Sequence, residues 1–324
     1  MLSTTDARVT SCGRIIRMRA ALLTFALAVS VTAQRASDAP FVGIGVWYAG
    51  PGAQPPATAL TDLDALRTDL TTIRRAGFNA ITAWTSWRES EPQRGAYALG
   101  GIERLAAAAA EADLKVQVIA YTDPAPAWAT GDAQAAARFV SYLSTRMSLQ
   151  RNVVGVLGAS RAGESARGRI AVRTGGAPDA RLAMWSALAR GERYLSFAGG
   201  EDPLTPAVMS LGETAGVVTR NQALFAPLRP RAAGVLHVTG ADPSPAVEVR
   251  LLESGDALMI IGVNHAPRPQ KVTIAFSPEM PEAIWQNLET GTAVNFVMGK
   301  TGPTFDYTFG PRDALVLMIR KKLR

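Results

Sequence analysis

From Phe41 to about Pro230, short apolar runs alternate with stretches whose apolar residues recur every three or four positions. GIGVWY (Gly43 to Tyr48), FNAITAW, KVQVIAY, NVVGVLGAS and RYLSF predict buried strands, and RIAVRT a weaker one. TDLDALRTDLTTIRRAG puts Leu63, Leu66, Leu70 and Ile73 at helical spacing, with Thr61 or Asp62 as its N-cap and Gly77 as its stop. GIERLAAAAAEADL, DAQAAARFVSYLSTRM, APDARLAMWSALARG and LGETAGVVTRNQALFAPL read as further helices. Such alternation predicts a parallel sheet with right-handed crossovers. The expected fold is therefore α/β, a (β/α) barrel of TIM type over residues 34–230. Six strands are the most that this span offers, and it is shorter than the about 250 residues typical of eight. An incomplete barrel is expected, with the shortfall between Asp123 and Val153.

Past Pro230 the period changes to two. AVEVRLLESGDALMIIGVNH is a pair of alternating runs around Ser254-Gly255-Asp256, a hairpin signal. KVTIAF, AIWQNL, AVNFVM, FDYTF and ALVLMI follow at short intervals, so residues 231–324 are expected to form an all-β sandwich.

The N-terminus departs from both patterns. RIIRMRA precedes the apolar run ALLTFALAVSVTA, and the order of basic, apolar and small residues predicts a secretory signal over residues 1–33, cleaved after Ala33. The expected location is secreted or periplasmic, with no stable membrane insertion, since spanning takes about 20 apolar residues. Of the 324 residues 48% are hydrophobic and 19% charged, the composition of a globular chain. Of the net charge of +7, Arg8, Arg14, Arg17 and Arg19 against Asp6 supply three units within the signal. The remaining arginines are scattered, which argues against nucleic acid as a partner. Cys12 is the only cysteine and lies in the same segment, so the processed chain has no disulfide or thiol chemistry. With only His237 and His265 as histidines, no metal site and no cofactor are expected.

In a parallel barrel the reactive groups stand where strands end. Those positions hold Trp47 and Tyr48 after the first strand, and Trp84, Thr85, Ser86 and Trp87 after the second. Tyr121, Asp123 and Trp128 follow the third, Glu164 the fourth, and Glu201 and Asp202 the last. Indoles interleaved with carboxylates suit a carbohydrate: apolar C–H faces of a pyranose stack on the rings, and its hydroxyls need charged partners.

Two blocks carry a family resemblance. AGFNAITAWTSWRESEPQRGAYAL followed by LKVQVIAYTDPAPAW resembles the family 42 type β-galactosidases, with a similar Gly-Phe-Asn, Trp-x-x-x-Glu-Pro-x-x-Gly-x-Tyr and Pro-x-Ala-Trp succession. RLAMWSALARG and YLSF are similar to a later helix and the final strand of the same barrel. The resemblance implies that Trp87, Glu91 and Pro92 form the turn that walls the sugar site and braces the mouth. It also implies retaining hydrolysis by two carboxylic acids about 5–5.5 Å apart. The family takes its acid from an Asn-Glu pair, and no Asn-Glu dipeptide occurs in this chain. Glu164, in RAGESARGR, matches the nucleophile's context loosely, leaving Asp123, Glu201 or Asp202 to stand in for the acid. Trp47, Trp84, Trp87, Glu91, Tyr121 and Trp128 are the expected substrate-binding residues.

Structural readings compete at several of these positions. Glu91 could simply tie a loop to backbone donors, and Asp123 could cap a helix. Glu164 could be a solvated loop residue, and Glu201-Asp202 an ordinary loop. Trp185 and Trp285 read as core, His237 as a strand residue and His265 as a turn. The expected function is an exported β-galactosidase-like hydrolase acting on a carbohydrate substrate. The alternatives are a relative that binds glycans without cutting them, or a partner-binding sandwich supported by the barrel.

Overall fold

The computed structural model describes residues 40–53, 62–130, 132–160, 168–173, 175–199, 204–231, 236–240, 246–255, 257–276, 283–294, 297–299 and 302–321. The signal segment, Glu164, Glu201 and Asp202 lie outside the described residues.

The N-terminal part alternates strands and helices in the expected order. It runs β1 (Gly43–Trp47), α1 (Leu63–Ala76), β2 (Ala80–Ser86), α2 (Trp87–Ser90), α3 (Gly100–Glu111), β3 (Lys115–Tyr121), α4 (Ala133–Met147), β4 (Val153–Ala159) and β5 (Arg169–Ala171). Then come α5 (Ala177–Ala189), β6 (Tyr194–Ala198), α6 (Pro206–Met209), α7 (Gly212–Arg220) and α8 (Gln222–Phe225). Helix α1 begins as its sequence predicts, the Asp62 carboxylate accepting from the amides of Asp64 and Ala65 at 3.0 Å each. It ends at Gly77, whose φ of 119° suits a residue without a Cβ. The helix expected over LGETAGVVTRNQALFAPL is instead two, divided at Asn221.

All six strands are parallel, in the order β4-β3-β2-β1-β6-β5. The last strand, β6, lies beside β1, the place of the closing strand in a TIM barrel, so the architecture is of that type with fewer strands. Among the described residues β4 and β5 are the two edges. This corrects the place of the shortfall. Residues Asp123 to Val153 hold a normal crossover through α4, and β4 pairs with β3. Only Ser160 to Gly168 separates β4 from β5, fewer than the dozen or so residues that a helical crossover needs. The strands are missing there.

Because side chains alternate along a strand, the register sorts them into two faces. Ile44 and Val46, Ile81 and Ala83, Val116 and Val118, and Leu195 and Phe197 are buried on the helix side. On the inner face stand Gly43, Gly45 and Trp47 of β1, Thr82 and Trp84 of β2, and Tyr194 and Ser196 of β6. The two β1 glycines let this face close. A Cβ at Gly43 would come within 2.5 Å of the Tyr194 ring. Across Gly45, Thr82 and Ser196 share a hydroxyl hydrogen bond of 2.6 Å. The Tyr194 hydroxyl donates to the Ile81 carbonyl at 2.5 Å and accepts from the Gln117 amide at 3.1 Å, joining β6 to β2 and β3 across the inside. Burial pushes that phenol above the ordinary tyrosine range.

The C-terminal part is antiparallel from Arg229 on. Strands β7 (Arg229–Pro230), β9 (Val247–Glu253), β10 (Ala257–Asn264), β12 (Ala283–Asn287) and β15 (Asp313–Lys321) form one sheet in the order β12-β15-β10-β9-β7. Strands β8 (Leu236–Thr239), β11 (Gln270–Phe276), β13 (Val297–Gly299) and β14 (Gly302–Phe309) form the other, ordered β13-β14-β11-β8. Leu258, Ile260, Leu315 and Leu317 pack with Ile274, Phe276 and Phe305 between the sheets. The alternate residues Met259, Ile261, Val263 and Val316 join the core of the α/β part through α5. Strand β10 is therefore buried on both faces, the physical reason for its unbroken apolar run. Trp285 lies in the sandwich core against Phe276, and Trp185 is buried in α5. No helix among the described residues is long and apolar enough to cross a membrane.

Beside this apolar contact stands an ionic one. The Arg181 guanidinium reaches both oxygens of Glu289, at 3.1 and 2.5 Å, and the Trp185 indole N–H donates to the same carboxylate at 3.1 Å. Glu289→Ala leaves the Trp185 indole without its acceptor and Arg181 with only the longer contact to Asp313 at 3.8 Å, and is expected to cost about 2–3 kcal/mol. Urea denaturation monitored by tryptophan fluorescence measures this loss, and an unchanged midpoint removes Glu289 from the coupling of the two parts.

Candidate functional site

At the C-terminal ends of the strands the inner face becomes aromatic and basic. Trp47 closes β1 and stacks on Trp84 of β2, with ring centroids 5.8 Å apart and planes 22° apart. Arg169 of β5 pairs in register with Ser196, so it shares the inner face, and its guanidinium carbon lies 5.0 Å from the centre of the Trp47 ring. Tyr121, the last residue of β3, pairs with Ser86 and Ala159. Burial raises the Tyr121 phenol, and the charge of Arg169 opposes that rise, which brings the two side chains into one electrostatic neighbourhood. On the opposite face Tyr48 donates to Asp69 of α1 at 2.8 Å; burial and that carboxylate together push its phenol far above the usual range.

Beside the mouth, the turn after β2 is built around Glu91. One carboxylate oxygen accepts from the Trp87 indole at 2.9 Å and the other from the Gly95 amide at 2.9 Å. The Glu91 carbonyl accepts from the Trp128 indole at 3.0 Å. Gly95, at φ 80°, makes the reversal that brings its amide to the carboxylate. Trp87 is enclosed by Phe139 of α4, stacked at 6.0 Å, and by Trp128, edge-on at 5.8 Å. Ser90 fastens the same turn through a 2.7 Å bond to Thr85 and its carbonyl's bond to the Ala98 amide. Within the Trp-x-x-x-Glu-Pro-x-x-Gly succession Trp87, Glu91 and Gly95 are thus bonded to one another.

The expected stacking wall does not lie open. Trp84 and Trp87 are 1% exposed and Trp47 6%, and Tyr121 is equally covered, so none presents a free ring face. The reason is strand parity and packing: Trp47 and Trp84 fill the inner face against each other, and Trp87 anchors its turn. Among the expected aromatic contacts only Trp128 is half-exposed, with Arg94 lying 6.0 Å over its ring. Glu91 is buried and bound to three neighbouring groups, a brace in its geometry rather than a ligand-facing acid. Asp123 is exposed at the mouth, its amide bonded to the Ser160 carbonyl at 2.8 Å beyond the end of β4. Arg169 was not legible as a site residue. RIAVRT reads as a weak strand, and the parity that turns its arginine inward depends on pairing with β6.

Comparison with known proteins places this geometry. Residues 59–136, which run from before α1 into α4, match the glycoside hydrolase family 42 model, described as β-galactosidase. The match covers about a quarter of the chain, 78 of its 324 residues. It contains β2, the Glu91 turn, β3, Asp123 and Trp128. Among solved structures, the α-amylase of Geobacillus thermoleovorans complexed with acarbose is similar at TM-score 0.55 and 10% identity, over 87% of this chain and 99% of that one. A glycoside hydrolase family 5 protein from Bacteroides vulgatus is similar at TM-score 0.53 and 9% identity, over 88% and 89%. At such identities the likeness establishes the fold alone, a TIM-barrel-like scaffold. No curated protein sequence matches the chain.

The Glu91 turn makes a measurable prediction. Glu91→Ala strands the Trp87 indole and the Gly95 amide and is expected to lower stability by about 2–3 kcal/mol, whereas Trp128→Phe removes one bond and costs about 1 kcal/mol. Guanidinium titration of both variants tests the ranking, and a Glu91→Ala protein as stable as the parent would show that the turn is held by other contacts.

Proposed function

We propose that the protein is an exported glycoside hydrolase of β-galactosidase type, binding its sugar at the C-terminal mouth of the parallel sheet. The observation that carries this reading is the family 42 segment folded around Glu91 at that mouth, on a scaffold shared with glycoside hydrolases. Retaining hydrolysis needs a nucleophilic carboxylate and a proton donor about 5–5.5 Å away. In this reading Glu164, which follows β4 in the chain, attacks the anomeric carbon. Asp123, Glu201 or Asp202 protonates the leaving oxygen and then activates water. Stacking falls to Trp128 in place of the buried indoles. Export rests on the signal-like N-terminal segment, and protein recovered outside the cytoplasm should begin at Gln34.

A second reading, glycan binding without cleavage, is favoured by the lack of an Asn-Glu pair anywhere in the chain. Turnover of an aryl β-galactoside separates the two. The hydrolase should release the aryl alcohol. Glu164→Gln should slow it by about a hundredfold or more, and Asp123→Asn should do the same if it is the acid. Equal rates for Glu164→Gln and the parent would remove Glu164 from the mechanism. A parent protein that binds galactan without any turnover would establish the binder.

A further inference from the structure

The inner face carries a cation that the hydrolase reading does not use. Arg169 is exposed, yet its strand register directs it to the same face as Ser196, Thr82 and Trp47, where a parallel barrel ordinarily holds neutral side chains. Among the described residues its side chain makes no salt bridge and no hydrogen bond, and its guanidinium lies over the Trp47 ring. A guanidinium presents five N–H donors in a planar fork suited to two acceptor oxygens. Laid against an indole it is held in orientation with all of those donors unused. The indole beneath it is in the same condition: the Trp47 Nε1–H is buried, within a side chain only 6% exposed, and has no acceptor. A buried donor without an acceptor is uncommon in folded proteins and asks for an explanation. Here the unpaired donor and the unpaired cation are in contact, beside Tyr121 at the mouth. Space is available on the same face, since a Cβ added at Gly155 of β4 would meet nothing within 4 Å, and Ala171 of β5 is exposed.

We propose that the mouth selects an acidic glycan, and that Arg169 receives the carboxylate or sulfate group carried by the sugar while Trp47 orients the guanidinium. This rests on the reading of the mouth as a glycan site and narrows its substrate class to a galactoside chain bearing negative charge. Uronic acid and sulfate ester offer the same recognition chemistry, two or more oxygens sharing a negative charge. Neutral galactosides would bind without this contact.

Isothermal titration of the full chain with three trisaccharides tests the proposal: neutral β-galactotriose, a galacturonic acid trisaccharide and a sulfated galactotriose. At least one acidic trisaccharide should bind about tenfold or more tighter than the neutral one, with an advantage that shrinks as salt is raised. Which acidic sugar gains identifies the group that Arg169 receives. Arg169→Ala should abolish the advantage of the acidic over the neutral sugar, while Arg169→Lys should keep part of it, because the charge remains and the fork is lost. Equal affinity for neutral and acidic sugars, or an advantage that survives Arg169→Ala, overturns the inference and leaves the glycan reading standing. Binding of none of the three overturns the glycan reading and the inference together. Should Arg169→Ala fail to fold, the comparison in the parent protein and in Arg169→Lys decides.

Discussion

Both faces of a parallel sheet must be covered, and with six strands among the described residues instead of eight the inner face has fewer neighbours to cover it. The chain meets this constraint with large side chains set against very small ones. Gly43 leaves room for the Tyr194 ring, and Gly45 lets Thr82 and Ser196 join across β1. Trp47 and Trp84 then stack where the strands end. The Tyr194 hydroxyl bonds to main-chain groups of β2 and β3, so a residue from the last strand holds the middle of the sheet. These contacts take the indoles away from any substrate, and they also leave Arg169 against a ring whose buried N–H has no acceptor.

The turn around Glu91 solves a different problem, that of holding an irregular segment still at the edge of the sheet. Loops carry unpaired backbone groups and are positioned by the scaffold beneath them. Here a buried carboxylate gathers an indole N–H and a backbone amide, and its carbonyl takes a second indole N–H. Trp87 lies between Phe139 and Trp128, which ties the turn after β2 to the segment after β3 and to α4. Two adjacent sides of the mouth are thereby fixed relative to one another. The match to the family 42 model covers this part of the chain.

The antiparallel sheets extend the same core. Strand β10 faces the sandwich with Leu258 and Ile260 and faces α5 with Met259 and Ile261. Helix α5 is correspondingly buried around much of its circumference. Arg181 and Trp185 on that helix share Glu289 as acceptor, adding a directional contact to an apolar one.

All six parallel strands and the β-rich C-terminal region were legible in the sequence, because burial on one or two faces imposes periods that survive in a single chain. The Asp62 cap and the Gly77 stop were legible for the same local reason. The turn around Glu91 was legible through its resemblance to a known motif, and the structure shows its residues bonded to one another over a few positions. Which face each tryptophan takes was not. Trp47, Trp84 and Trp87 stand where a rim residue would stand, and only strand register and the packing of Phe139 and Trp128 put them inside. The site of the missing strands was equally out of reach, since it follows from the pairing order, with β6 against β1 and the edges at β4 and β5. Sequence alone determined the local elements, through propensity, spacing and neighbouring bonds. Tertiary structure decided which side chains meet, because the pairing of β6 with β1 joins residues more than a hundred positions apart and, with β5 laid beside β6, brings Arg169 to Trp47.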